Sequence, residues 1–162
     1  MAIAVARPAR WLVSRASAAG VDISRAALAL TAKNAQKHDV ASRLALSEGD
    51  VFDGLSGTFD LIVSNPPYIP DCHLESLQAE VGRFEPPAAL FGGPDGLAII
   101  RRIVAGAPPF LNSKGFLLIE IGFDQSEGVK ELFDPLVWER VEFLADLQGF
   151  PRIVKARLRR QF

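Results

Sequence analysis

The four consecutive residues Asn65-Pro66-Pro67-Tyr68 have the clearest capacity for chemistry in this sequence. An asparagine side chain offers a carbonyl acceptor and an NH₂ donor. The two prolines fix their own φ angles and lack backbone N–H groups, so the segment offers acceptors and few donors. The tyrosine adds a flat face. Together these residues predict a rigid cup for a planar group that carries an NH₂; the alternative is a Pro-Pro turn capped by asparagine.

Such a cup suits the methylation of an amide or exocyclic amine nitrogen. This nitrogen is a poor nucleophile because its lone pair is delocalised into the neighbouring π system. The Asn65 side chain and the Pro66 carbonyl can each accept a hydrogen bond from one N–H of the substrate NH₂ group. The nitrogen lone pair then points at a sulfonium methyl group. Catalysis then consists of positioning and of stabilising the positive charge that grows on nitrogen. We interpret all four residues as catalytic, and the reaction requires no metal.

Two acidic residues are candidates for binding a nucleoside cofactor. Asp22, followed by Ile23, ends a predicted strand, where dinucleotide-binding folds place an acid on ribose hydroxyls. Asp50, followed by the apolar Val51, ends the next predicted strand and could accept an adenine amino group beneath an apolar cover. The alternatives are a helix cap at Asp22 and a solvated turn acid at Asp50. Asn65 would meet the cofactor as well as the substrate.

Composition narrows the class of protein. The 162 residues suffice for one domain with a hydrophobic core, and a net charge of −1 gives no electrostatic case for nonspecific nucleic-acid binding. A single cysteine excludes an internal disulfide and fits a reducing cytoplasm. No apolar run reaches the roughly 20 residues that cross a bilayer.

Apolar runs predict the elements that position these side chains. Residues 59–64 form a continuous run typical of a buried parallel strand, which puts Asn65 at its carboxyl end, where open α/β sheets bind ligands. The closing runs, 137–144 and 152–158, predict an antiparallel hairpin. Further strands are predicted over residues 18–22, 43–47 and 115–122, and helices over 25–38, 74–81, 96–111 and 125–133. The pattern predicts a doubly wound α/β sheet in one domain, residues 1–162.

The stretch from Asp60 to Pro70 resembles the motif of the release-factor glutamine methyltransferases. Residues 21–24, 85–97 and 115–125 resemble further segments of that family. The resemblance implies a class I methyltransferase fold with S-adenosylmethionine as cofactor. It also implies a cytoplasmic enzyme that methylates the side-chain amide of the glutamine in the Gly-Gly-Gln motif of class 1 peptide-chain release factors. Neither membrane association nor direct nucleic-acid binding is expected.

The same resemblance implies roles for single residues. Asn65, Pro66 and Tyr68 would hold the glutamine amide, and Glu85 and Pro86 would lie near the incoming loop. Turn chemistry alone is the alternative for the residues around Glu85 and for the following glycines. For Glu120, at the end of a predicted buried strand, a structural role and a place in the pocket stay equally open.

The chain departs from the family pattern at its start. The family's small helical N-terminal domain is missing, and so are the first strand and the glycine-rich loop that approaches the cofactor. Residues 2–7 are expected to lie inside the helix that follows that loop. Loss of a central strand would leave buried backbone groups unpaired, at about 1–3 kcal/mol each. We therefore expect either a truncated reading frame or an altered sheet with weak cofactor binding.

Two other functions remain open. One is methylation of an exocyclic amine of DNA or ribosomal RNA, which the near-neutral charge disfavours. The other is a catalytically incompetent fragment that keeps the substrate cup but does not hold the cofactor. The absent glycine-rich loop is the main support for this second alternative.

Overall fold

The computed structural model describes residues 3–7, 16–72 and 87–160. One seven-stranded sheet has the order β3-β2-β1-β4-β5-β7-β6. Its strands are β1 (Ile3–Arg7), β2 (Ser17–Asp22), β3 (Leu44–Glu48), β4 (Phe59–Ser64), β5 (Leu111–Glu120), β6 (Trp138–Ala145) and β7 (Pro151–Leu158). The α-helices are α1 (Arg25–Lys37), α2 (Pro87–Leu90), α3 (Ala98–Gly106) and α4 (Ser126–Lys130), and short 3₁₀ turns cover Ala41–Arg43 and Pro108–Phe110.

The first strand lies in the middle of the sheet, antiparallel to both of its neighbours. Ile3 lies opposite Val21 of β2 and Ser64 of β4. The helical prediction for residues 2–7 was therefore wrong. A short run in this position satisfies the backbone groups of two strands at once, which outweighs the helix propensity of its alanines. Compared with the expected family sheet, the central strand is present but runs in the opposite direction, and β1 fills the space between β2 and β4.

Five strands, β2 to β6, run in one direction, and β1 and β7 run the opposite way. β2 pairs with β3 and β4 pairs with β5 in parallel, and β1 is antiparallel to both β2 and β4. The carboxyl ends of β2, β3, β4 and β5 consequently share one edge of the sheet, which we call the carboxyl edge. This edge is where Asp22, Asp50 and Asn65 were expected to meet.

The C-terminal hairpin forms as predicted. β6 pairs with β7 and β7 pairs with β5, all antiparallel. Helix α3 is shorter than the predicted 96–111, because Pro108 and Pro109 begin a 3₁₀ turn instead. The predicted helix over 74–81 lies outside the described residues.

The core lies between one face of the sheet and helices α3 and α4. Strand residues and helix residues that are wholly buried meet there. They include Ile62, Leu117, Ile119, Val154, Ile100, Ile103 and Val129. This packing holds the ends of β4 and β5 side by side. In the part of the chain that the structure describes, no helix has the length and apolar character to cross a membrane.

Candidate active site

The tetrapeptide begins directly after β4 at the carboxyl edge. Pro66 and Pro67 are buried and Tyr68 is half-buried, whereas Asn65 is exposed. Among the described residues the Asn65 side chain has no hydrogen-bond partner. The buried prolines therefore anchor the segment, and the amide of Asn65 is presented at the edge of the sheet.

Gln125 connects the tetrapeptide to the end of β5. Its Nε2 atom donates to the Tyr68 carbonyl oxygen at 2.8 Å, and its Oε1 atom accepts from the Gly122 N–H at 2.8 Å. The side chain is buried, with 9% of the residue exposed. Both ends of this buried amide are thus paired with backbone, which fixes the position of Tyr68. The sequence pointed to Gln125 only through the family resemblance and indicated no such contact.

The segment after α2 packs closely against the tetrapeptide. Ile69 N–H donates to the Leu90 carbonyl at 3.0 Å, and Gly92 N–H donates to the Ile69 carbonyl at 2.9 Å. Gly96 has a φ of +74°, and a Cβ atom there would lie 2.3 Å from the Tyr68 carbonyl oxygen. Glycine is required here for close backbone approach as well as for the turn.

Tyr68 is oriented by two charged side chains. Its hydroxyl donates to Glu120 Oε1 at 3.3 Å, and the Arg152 guanidinium carbon lies 5.9 Å from the ring centroid. Burial, together with the nearby Glu120 carboxylate, raises the pKa of Tyr68, so the phenol keeps its proton at neutral pH. Glu120 thus has a structural contact with Tyr68, and it also borders the neighbouring cleft. A cleft of about 130 Å³ is bordered by Asn65, Glu120 and Ile153.

Ser64, the residue before Asn65, carries an unpaired hydroxyl. It is 2% exposed, and its Oγ atom has no hydrogen-bond partner among the described residues. Leaving a buried hydroxyl unpaired costs about 1–3 kcal/mol, so such groups are rare and call for an explanation such as a bound ligand. Sequence reasoning missed this residue, because serine at a strand end is unremarkable by itself.

Asp22 lies on the other side of β1 from Asn65. The residue is 7% exposed, and its Oδ1 atom accepts from the Ser24 N–H at 2.7 Å. Ser24 in turn caps α1 by accepting from the Ala27 N–H at 3.2 Å, so the helix-capping alternative is partly realised. The neighbouring Ile23 is exposed. Asp22 and Asn65 are about 10 Å apart across the sheet, given two strand spacings of about 4.8 Å.

The turn after β3 brings Asp50 beside Asp22. Gly49 N–H donates to the Asp22 carbonyl oxygen at 3.2 Å, which joins the two strand ends. Asp50 Oδ2 forms an ion pair with Arg102 at 2.9 Å. Val51 has a φ of +56°, a strained conformation for a β-branched residue and one that is concentrated at ligand sites. Its side chain is buried in the core.

The candidate residues thus form two groups on one edge. Asn65, Tyr68 and Glu120 lie at the ends of β4 and β5, and Asp22 and Asp50 lie at the ends of β2 and β3. β1 separates the groups. Glu85 and Pro86, predicted on the substrate side, lie outside the described residues.

Comparison with known proteins finds sequence relatives that include several release factor glutamine methyltransferases. Residues 6–80 match the family model described as Methyltransferase small domain. The release factor glutamine methyltransferase of Geobacter sulfurreducens is 44% identical over 144 residues, 88% of this chain and 50% of the relative. The release factor glutamine methyltransferase of Caulobacter vibrioides is 41% identical over 155 residues, 95% of this chain and 52% of the relative. The chain spans about half the length of these curated relatives.

Solved structures share the fold. The methyltransferase from Pyrococcus furiosus superimposes with a TM-score of 0.61 at 17% identity, covering 87% of this chain and 61% of that one. The strand order, the position of the candidate site at the carboxyl edge and this structural similarity all indicate the same fold. The chain therefore has a class I methyltransferase fold, and its sequence is similar to the release factor glutamine methyltransferases over about half of their length.

Proposed function

We propose that this chain transfers a methyl group from S-adenosylmethionine to the side-chain amide of a glutamine in the Gly-Gly-Gln motif of class 1 release factors. The observation that carries the proposal is the exposed amide of Asn65, held at the carboxyl edge by two buried prolines. Its sequence relatives bear the name of this activity. The reaction would take place in the cytoplasm, where release factors act.

The residues at the edge fit the cofactor chemically. Two acids at neighbouring strand ends, Asp22 and Asp50, offer carboxylates to ribose hydroxyls and to an adenine amino group. The buried unpaired hydroxyl of Ser64 lies next to Asn65 and is one of the polar groups that a ligand would satisfy. When bound, the cofactor supplies an electrophilic methyl group on a positively charged sulfur.

The protein's contribution to transfer is geometric. Asn65 Oδ1 and the Pro66 carbonyl accept hydrogen bonds from the two N–H groups of the glutamine amide, and the Tyr68 ring packs against the plane of that amide. Glu120 and Gln125 keep Tyr68 in place through its hydroxyl and its carbonyl. On transfer the amide nitrogen would gain the methyl group and lose one proton to solvent, and the bonding electron pair would remain with the cofactor. Positioning of this kind is the main source of rate.

The test combines a binding and a turnover measurement on the 162-residue chain. S-adenosylmethionine is titrated calorimetrically, and methyl transfer is followed with isotopically labelled cofactor. We expect binding, and incorporation into release factor and a Gly-Gly-Gln peptide. A Gly-Gly-Glu peptide, which lacks the amide, should stay unlabelled. A folded chain that binds cofactor and release factor but transfers no label would contradict the proposal.

A second candidate is a fragment that binds substrate without turnover. The direction of β1 favours it, because the strand begins at the carboxyl edge, and the sequence that follows it, residues 8–15, contains no glycine. Binding of a Gly-Gly-Gln peptide with no calorimetric signal from the cofactor would select this candidate. Labelled DNA or ribosomal RNA would instead select a nucleic-acid methyltransferase.

Replacing Asp22 with alanine should weaken cofactor binding by about tenfold or more, because one charge-assisted hydrogen bond is worth roughly 1.5–3 kcal/mol. The matched control is Ser24→Ala, which removes the cap of α1 and leaves the carboxylate in place. Calorimetric Kd values of both variants separate the two roles. Equal weakening in both would assign Asp22 to the helix cap, and an unchanged Kd for Asp22→Ala would exclude the ribose role.

A further inference from the structure

Large apolar side chains lie at the corner formed by the β6–β7 turn and the loop that follows β5. Among the described residues, eight large hydrophobic side chains are exposed, and four of them lie at this corner. We call these four the corner cluster: Phe123, Leu144, Leu147 and Phe150. Leu147, at the tip of the turn, is fully exposed. Scattered apolar residues are common on protein surfaces, but a group of this kind marks an interaction site.

The turn that displays the cluster is well braced. Asp146 Oδ1 accepts from the Gln148 and Phe150 N–H groups at 2.9 and 3.0 Å, and Asp146 N–H donates to the Phe150 carbonyl at 2.8 Å. Phe123 and Phe150 meet edge to face, with ring centroids 6.0 Å apart. Because the turn is ordered in this way, a partner that binds Leu147 and Phe150 pays little to fix them.

The cluster is continuous with the candidate active site. β7 begins beside the end of β5, where Ile153 lies opposite Glu120. Arg152 joins the two regions: its Nε atom is 3.9 Å from Asp146 Oδ2, and its guanidinium carbon lies 5.9 Å from the centre of the Tyr68 ring. On the other side, Phe123 follows Gly122, which is bonded to the Gln125 side chain that holds Tyr68. A protein whose glutamine reaches Asn65 therefore extends past this corner.

We propose that the corner cluster is a docking surface for the methyl-accepting protein and receives apolar side chains from the region flanking the modified glutamine. This inference rests on the proposed function. It implies that recognition of the whole protein exceeds recognition of a short Gly-Gly-Gln peptide. A few residues near the centre of a protein–protein contact carry most of its binding energy.

The test compares Leu147→Ser with Leu136→Ser. Leu136 is a matched control: it is 82% exposed, it lies in a turn that an aspartate braces, and it precedes β6 at the opposite edge. For Leu147→Ser we expect the KM for whole release factor to rise by about tenfold. The KM for a short Gly-Gly-Gln peptide and the Kd for S-adenosylmethionine should not change. Leu136→Ser should match the unmodified chain with both substrates.

Each other outcome overturns the inference. An unchanged KM for whole release factor with Leu147→Ser means that the cluster is not used. Equal losses with peptide and protein mean that the substitution damages the site itself. A dimer in sedimentation that Leu147→Ser dissociates means that a second copy covers the cluster. Absence of methyl transfer by the unmodified chain is a failure of the proposed function, and the inference falls with it.

Discussion

Replacing Asn65 with alanine is expected to lower the rate of methyl transfer by at least about a hundredfold and to leave cofactor affinity nearly unchanged. The alanine removes the acceptor that orients the amide lone pair. Because Asn65 is exposed and its side chain is unbonded within the described part of the chain, the fold loses nothing. Single-turnover labelling gives the rate, calorimetry gives the Kd, and the melting temperature reports the fold.

Asn65→Asp is the companion variant, because it keeps an acceptor oxygen at the same position but loses the NH₂ group. We expect it to retain more activity than Asn65→Ala. Unaltered turnover in the alanine variant would remove the tetrapeptide from the mechanism. A fall in cofactor affinity equal to the fall in rate would assign Asn65 to the cofactor side alone.

Replacing Val5 with proline should destabilise the fold by about 3 kcal/mol or more, because proline removes an N–H from the middle of a sheet. Val5 lies opposite Ala19 of β2 and Ile62 of β4, so the sheet is disturbed at its centre. Domains have only about 5–15 kcal/mol of stability in total, so such a loss takes a large part of it. Urea unfolding, followed by circular dichroism, measures the change.

Val5→Thr is the control for this experiment, since threonine keeps both the N–H group and the β-branched shape. Its unfolding midpoint should stay close to that of the unmodified chain. If the proline and threonine variants unfold at the same urea concentration, residues 3–7 do not pair with β2 and β4 in solution.

The parts of the fold that could be predicted are those whose patterns are local. The run over Phe59–Ser64 is long, apolar and ended by Asn-Pro-Pro, which identifies a buried strand and its carboxyl end. The closing hairpin follows from two strand-like runs without a helix between them. β1 was not predictable, because four aliphatic residues followed by an arginine carry no period that separates a strand from a helix. Its state depends on the space between β2 and β4, which are distant in sequence.

The same division applies to the site. The chemistry of Asn65 and the prolines follows from residue type and from position at a strand end. The contacts that hold Tyr68 could not be predicted in this way, because Glu120 and Gln125 lie 52 and 57 residues away from it in the sequence.

The direction of β1 also determines where the two ends of the polypeptide leave the sheet. β1 begins at the carboxyl edge, with Ile3 between Val21 and Ser64, whereas β7 ends at the opposite edge. Any polypeptide joined ahead of Ile3 therefore emerges between the two groups of candidate ligand-binding residues. An affinity handle at the amino end would crowd that edge and compete with small molecules for it. A handle fused after the last residue would leave it accessible.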